Sequence, residues 1–231
     1  MDSAIIGIDI GGTHFRIGTV VVDGSVSDFR KIPVKQVFFT DDPLGDLTNF
    51  LRDYLQDKQV QAISIGFPAT LDAARKMVLQ APNVAFMENL PVVAALTEAF
   101  GIPIFIERDV TMALCYDCRK HQIPMEGIVC GIYYGTGIGN AISINGIPLI
   151  GRNGTAGELG HIPVDGSEKL DNKITESLEP YDLTKAVPFQ PAVLAGAMAD
   201  HADVDADECK GRAIERVENS ITNALRNTVK G

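Results

Sequence analysis

The residue pattern predicts an α/β protein, and three observations carry that prediction. Apolar runs of strand length alternate with stretches whose apolar residues recur every three or four positions. Two glycine-rich turns, Asp9-Ile10-Gly11-Gly12-Thr13 and Gly135-Thr136-Gly137-Ile138-Gly139, each close one strand and open the next. The chain has 231 residues, 45% hydrophobic and 22% charged, which is ordinary for a globular protein and enough for one large domain or two small lobes.

The elements follow in order. Ala4–Ile8 is a short apolar strand. After the first glycine turn, Phe15, Ile17, Thr19 and Val21 alternate with His14, Arg16, Gly18 and Val20, which suits a second strand. Asp23-Gly24 signals a hairpin, and Val26–Val37 supplies a third strand. Leu44, Leu47, Phe50, Leu51, Tyr54 and Leu55 mark an amphipathic helix, with Asp41 or Asp42 as its cap and Pro43 in its first turn. Val60–Ile65 is the next strand and runs into the loop Gly66-Phe67-Pro68-Ala69. A helix over Pro91–Phe100, a strand over Ile102–Ile106 and a helix reaching Lys120 come next. Strands Gly127–Tyr134 and Asn140–Asn145 flank the second glycine turn, and Asn145-Gly146 is another hairpin signal. From Asp165 to Pro191 the pattern dissolves into irregular structure. Helices are expected again at Ala192–Ala199 and about Asp207–Val229, the latter with Ile214, Val217, Ile221, Leu225 and Val229 on one stripe.

Composition narrows the function classes. A formal net charge of −10 argues against binding nucleic acid or an acidic membrane, both of which favour a basic surface. No run reaches the length of a membrane span, and no basic segment followed by an apolar one marks a signal peptide. Four cysteines fit a reducing cytoplasm better than a disulfide framework. Cys115 and Cys118 form a C-x-x-C pair, but on a helix they stand at i and i+3 and read as small packing residues.

The two turns are the chemical signal. Glycine lets the main chain come close to a ligand, and successive N–H groups form an anion nest, to which Thr13 and Thr136 each add a hydroxyl. Two such turns in matching contexts suggest two halves of a chain holding one polyphosphate. Each turn alone is equally an ordinary hairpin, and Asp9 equally a carboxylate that stabilises its own turn.

Strand, Asp-Ile-Gly-Gly-Thr, strand resembles the phosphate turn of sugar kinases with the actin-like ATPase (ribonuclease H-like) fold. With Gly135–Gly139, Gly157-Glu158-Leu159-Gly160-His161, Gly66-Phe67-Pro68-Ala69, Pro82-Asn83 and Arg108-Asp109, the chain closely resembles the ROK family of sugar kinases and sugar-responsive repressors over about Ile5 to Asp165. Within that family, Gly-Phe-Pro-Ala and Arg-Asp-Val are most like the allose-phosphorylating type. The resemblance implies two lobes around a nucleotide and sugar cleft, here 1–108 with the first phosphate turn and 109–231 with the second. It implies ATP and Mg²⁺ as cofactors, a hexose as substrate, no nucleic-acid or membrane partner, and a homodimer as the family habit.

The same resemblance implies the site. Asp109 is the base that takes the proton of a sugar hydroxyl, the 6-OH of an aldohexose such as D-allose, although an Asp at a helix start is equally a cap. Asp9, Gly11, Gly12, Thr13, Gly135, Thr136 and Gly137 hold the phosphates, with Asp9 near the metal through water. Asn83, Arg108, Glu158, His161 and Glu176 form the sugar-binding set. A non-catalytic sugar-binding or sugar-responsive regulatory protein of the same family is the alternative.

Two departures qualify the resemblance. Many ROK proteins carry a zinc-binding cysteine cluster after the Gly-His segment, whereas Asp165–Thr175 has no cysteine, so no metal ligand set is expected. The family also continues with a strand and a glycine turn that cradle adenosine. This chain stops at Lys230-Gly231, so that part is expected to be missing from it.

Overall fold

The computed structural model describes residues 4–20, 25–56, 58–134, 137–165 and 168–169. The chain divides into two compact units, one of Met1–Met112 with Ile150–Thr155, the other of Ala113–Leu149 with Ala156–Gly231.

The first unit is built on a five-stranded sheet. Strands β1 (Ala4–Ile10), β2 (His14–Val20) and β3 (Val26–Pro33) form an antiparallel meander. Strands β4 (Val60–Phe67) and β7 (Ile104–Arg108) extend it in parallel, giving the order β3-β2-β1-β4-β7. The short pair β5 (Thr70–Leu71) and β6 (Val78–Gln80) stands apart as a hairpin. Helices α1 (Pro43–Leu55) and α2 (Val92–Phe100) are the crossovers that a parallel strand pair requires.

One face of the sheet carries Ile6, Ile8, Ile10, Phe15, Ile17, Ile63, Ile65, Phe67, Ile104 and Ile106, all buried. Alternation puts every second residue there, and the register sets Ile8 beside Ile17 and Ile65. Leu47, Leu51 and Tyr54 of α1 and Leu96 of α2 belong to the same cluster. Helix α1 starts as its sequence predicts. The Asp42 carboxylate accepts the Gly45 N–H at 3.0 Å, and Pro43 follows in the first turn.

The expected third strand is shorter than its apolar pattern. It ends at Pro33, and Val34–Gln36 turn into a 3-10 helix whose Val34 N–H donates to Thr13 O at 3.0 Å. Proline has no N–H to continue the ladder, so the chain leaves the sheet there.

In the second unit, β8 (Ile128–Tyr134), β9 (Ile138–Ile144) and β10 (Ile147–Pro148) form an antiparallel sheet. The Asn145-Gly146 signal is realised as a hairpin, with φ of +49° and +81°. Helix α3 (Asp109–Lys120) crosses from one unit into the other, and Leu114 lies against Gly131 of β8. Tyr133 donates to the buried Asp117 carboxylate at 3.2 Å. The stretch expected to be irregular from Asp165 opens instead inside a small pair, β11 (Pro163–Asp165) with β12 (Glu168–Lys169), too short for a periodic signal. Both helices expected beyond residue 190 lie outside the described residues. Among the described residues no helix is long and apolar enough to cross a membrane.

Candidate functional site

The carboxyl ends of parallel strands are where ligands gather in α/β sheets, because the chain leaves each strand there in a loop. In the first unit, β1, β4 and β7 end level with one another. The register sets Asp9 beside Gly66 and Gly66 beside Glu107, so Asp9 and Glu107 are two strand spacings apart, about 10 Å. Asp9, Gly66 and Glu107 share the sheet face opposite the apolar core.

The first glycine turn is a tight hairpin. The Gly11 N–H is used inside it, donating to His14 O at 3.0 Å. The N–H groups of Gly12 and Thr13 make no hydrogen bond among the described residues, and both residues are exposed. Gly12 owes its identity to close approach, since a Cβ there would stand 2.8 Å from the Asn83 carbonyl oxygen. Asn83 sits in the short 3-10 helix Pro82–Met87. The first glycine turn and Asn83, expected to bind sugar, thus touch within one unit.

Asp9 is held from across the hairpin. Its Oδ2 accepts from Arg16 Nη1 at 2.5 Å, and its carboxylate remains 40% exposed. Arg16 was not singled out from the sequence, although the signal existed. Residues equidistant from a hairpin turn face each other, and opposite charges at 9 and 16 do so here.

Asp109 is the first residue of α3, directly after β7. Its Oδ1 accepts the Val110 N–H at 2.8 Å. A Cβ on Gly66 would lie 3.7 Å from the Asp109 Cα and 3.1 Å from Met112 Sδ, so the base candidate adjoins the end of β4, which runs on through Gly66 and Phe67 where a loop was expected. Arg108 shares the core face of β7 with Ile104 and Ile106 and is only 6% exposed. Glu107 pairs with Arg75 at 3.0 Å.

In the second unit, Gly137 is half-buried at the start of β9, while Gly135 and Thr136 lie outside the described residues, as does Glu176. Gly157 has φ +84°, and a Cβ there would stand 2.7 Å from the Asn140 carbonyl oxygen. Asn140, buried on β9, donates to Gly131 O at 2.8 Å and to Cys130 Sγ at 3.0 Å. The Gly157–His161 segment therefore leans on β9. Sequence reasoning missed Asn140 because nothing local marks a contact between distant stretches of chain. Glu158 and His161 meet at 3.3 Å, Oε2 to Nδ1, with His161 half exposed. Among the described residues no cluster of three or more His, Cys, Asp or Glu side chains could hold a metal ion. Cys115, Cys118 and Cys130 form no disulfide, and Cys118 is buried.

The chain is 25% identical over 170 residues to a glucokinase of Thermotoga maritima, covering 73% of this chain and 53% of the relative. It is 28% identical over 170 residues to an N-acetyl-D-glucosamine kinase of Pectobacterium atrosepticum, covering 71% and 54%. The chain thus spans about half the length of the curated relatives it matches. Among solved structures, a ROK family glucokinase from Streptomyces griseus in complex with glucose and AMPPNP matches with a TM-score of 0.62 at 22% identity. That match covers 97% of this chain and 75% of the other. A ROK family transcriptional regulator, homolog of the E. coli MLC protein, matches with a TM-score of 0.68 at 19% identity, covering 98% and 70%. These likenesses show the actin-like ATPase fold. Residues 5–179 match the ROK family, and the chain belongs to it.

Proposed function

We propose that this chain belongs to an ATP-dependent hexose kinase that transfers the γ-phosphoryl group to a sugar hydroxyl. The observation that carries the reading is the gathering of Asp9, Gly12, Asn83 and Asp109 around the carboxyl ends of β1, β4 and β7. Kinases of glucose and N-acetylglucosamine among the relatives support the reaction class.

The residues suit the cofactors. Gly12 and Thr13 offer two exposed N–H donors in succession, as a phosphate requires. Asp9 offers a half-exposed carboxylate, as a hydrated Mg²⁺ requires. When bound, the metal neutralises charge on the transferring phosphoryl group. Gly137, with Gly135 and Thr136 beside it in sequence, is the second phosphate turn.

Asp109 accepts the hydroxyl proton, and the helix it opens sets its position at the end of β7. Asn83, Arg108, Glu158, His161 and Glu176 orient the sugar, carboxylates being suited to bidentate contact with adjacent hydroxyls. The acceptor is the 6-OH of an aldohexose. Gly66-Phe67-Pro68-Ala69 and Arg108-Asp109 favour an allose-type substrate. An ATP-consuming enzyme with few cysteines, none in a disulfide among the described residues, belongs in the reducing cytoplasm.

The test is an ATP-consumption screen over hexose epimers with wild type and Asp109→Asn. The variant should lose turnover by about 10²–10⁴-fold while keeping hexose binding by calorimetry. Unchanged turnover would refute the base assignment. The likeness to a transcriptional regulator favours a second reading, a sugar-responsive regulator. Hexose binding with neither ATP binding nor turnover would select it.

A further inference from the structure

Arg75 lies in the loop between β5 and β6 with a left-handed backbone, φ +54°. That conformation is uncommon for residues other than glycine, asparagine and aspartate, and here it belongs to the tight turn that Asp72 braces. Its side chain ties three separate parts of the first unit together. The guanidinium Nε meets Glu107 Oε1 at 3.0 Å and Oε2 at 3.2 Å. Nη1 donates to the carbonyls of Asp72 at 3.3 Å and Gly154 at 3.4 Å. The side chain is only 13% exposed, where a planar fork of donors holds geometry better than a lysine would.

What it ties is specific. Glu107 Oε1 also accepts the Arg108 N–H at 2.8 Å, so the carboxylate grips the backbone next to Asp109. Gly154 is pressed onto the hairpin, where a Cβ would fall 2.0 Å from Leu71 O. The Gly154 segment continues directly into Ala156–His161, which carries Glu158. Asp72 braces the loop itself, accepting the N–H groups of Lys76 at 2.6 Å and Met77 at 2.7 Å.

Resting on the kinase reading above, we propose that Arg75 is a positioning residue, clamping the base-bearing end of β7 and the segment that leads into the Glu158 loop in one fixed register. It acts through Glu107 and the Gly154 segment.

Three variants of the full chain test this. Arg75→Gly relieves the backbone and removes the fork, Arg75→Ala removes only the fork, and Arg75→Lys keeps the charge. Hydrogen exchange of the peptides covering 104–112 and 150–161 should speed up about tenfold in Arg75→Gly and Arg75→Ala, while α1 is unchanged. The kcat for the best hexose should fall roughly tenfold or more with the KM for ATP unmoved, and Arg75→Lys should recover part of it. Unchanged exchange overturns the clamp, and so does wild-type kcat in Arg75→Gly. An inactive wild type overturns the kinase reading instead, and the clamp is then judged on the exchange rates alone.

Discussion

Gly12 shows how one missing side chain joins two parts of the proposed site. Its neighbour is a backbone carbonyl, that of Asn83, which cannot swing aside as a flexible side chain would. Gly12→Ala should therefore push the proposed phosphate turn and the 82–87 segment apart. The expected cost is about 1–3 kcal/mol in urea unfolding, together with weaker ATP binding by calorimetry. Tyr133 makes a different point in the second unit. Burial and the nearby Asp117 charge push its phenol pKa up, so it remains a neutral donor to Asp117 across the working pH range. Tyr133→Phe removes that donor from a buried carboxylate and should cost about 1–3 kcal/mol, measured by chemical denaturation.

At the scale of elements, local chemistry decides where structure begins and ends. Helix α1 starts where Asp42 can accept the Gly45 N–H, and Asp42→Ala should lower stability by about 1 kcal/mol in an unfolding titration. The hairpin at Asn145-Gly146 and the first three strands were legible for the same reason, since turn residues and alternation act over a few positions. Elements of two or three residues, β5, β6, β11 and β12, were not legible. They exist because a partner strand is available, and two residues cannot display a period. The end of β3 at Pro33 was signalled by the proline itself, yet the apolar run beyond it outweighed that signal.

Across the whole molecule, acid stability should depend on Asp46, buried in α1 at 6% exposure. Burial opposes its charge, but the N–H groups of Thr40 and Phe39, both at 2.9 Å, outweigh it and hold the carboxyl below its ordinary value of 3.8. Because the folded pKa is depressed, the unfolded chain binds more protons between the two values. The stabilisation is complete above the ordinary carboxylate range and is lost as pH falls through the folded pKa. Asp46→Asn should therefore be less stable than wild type at pH 7. In thermal melts the gap should close as pH is lowered from about 5 to about 2.

The sequence by itself determined the α/β class, the Asn145-Gly146 hairpin, the start of the first helix and the family, because these rest on short-range patterns of residue type. It also named Asp9, Gly12, Asn83 and Asp109, through motifs each confined to a few positions. Only the tertiary structure decided that Gly12 lies against Asn83, that Arg16 faces Asp9, that Asn140 supports Gly157, and that Arg75 links Glu107 to Gly154. Strand register and loop docking bring residues together over tens of positions, and no local pattern along the chain encodes those distances.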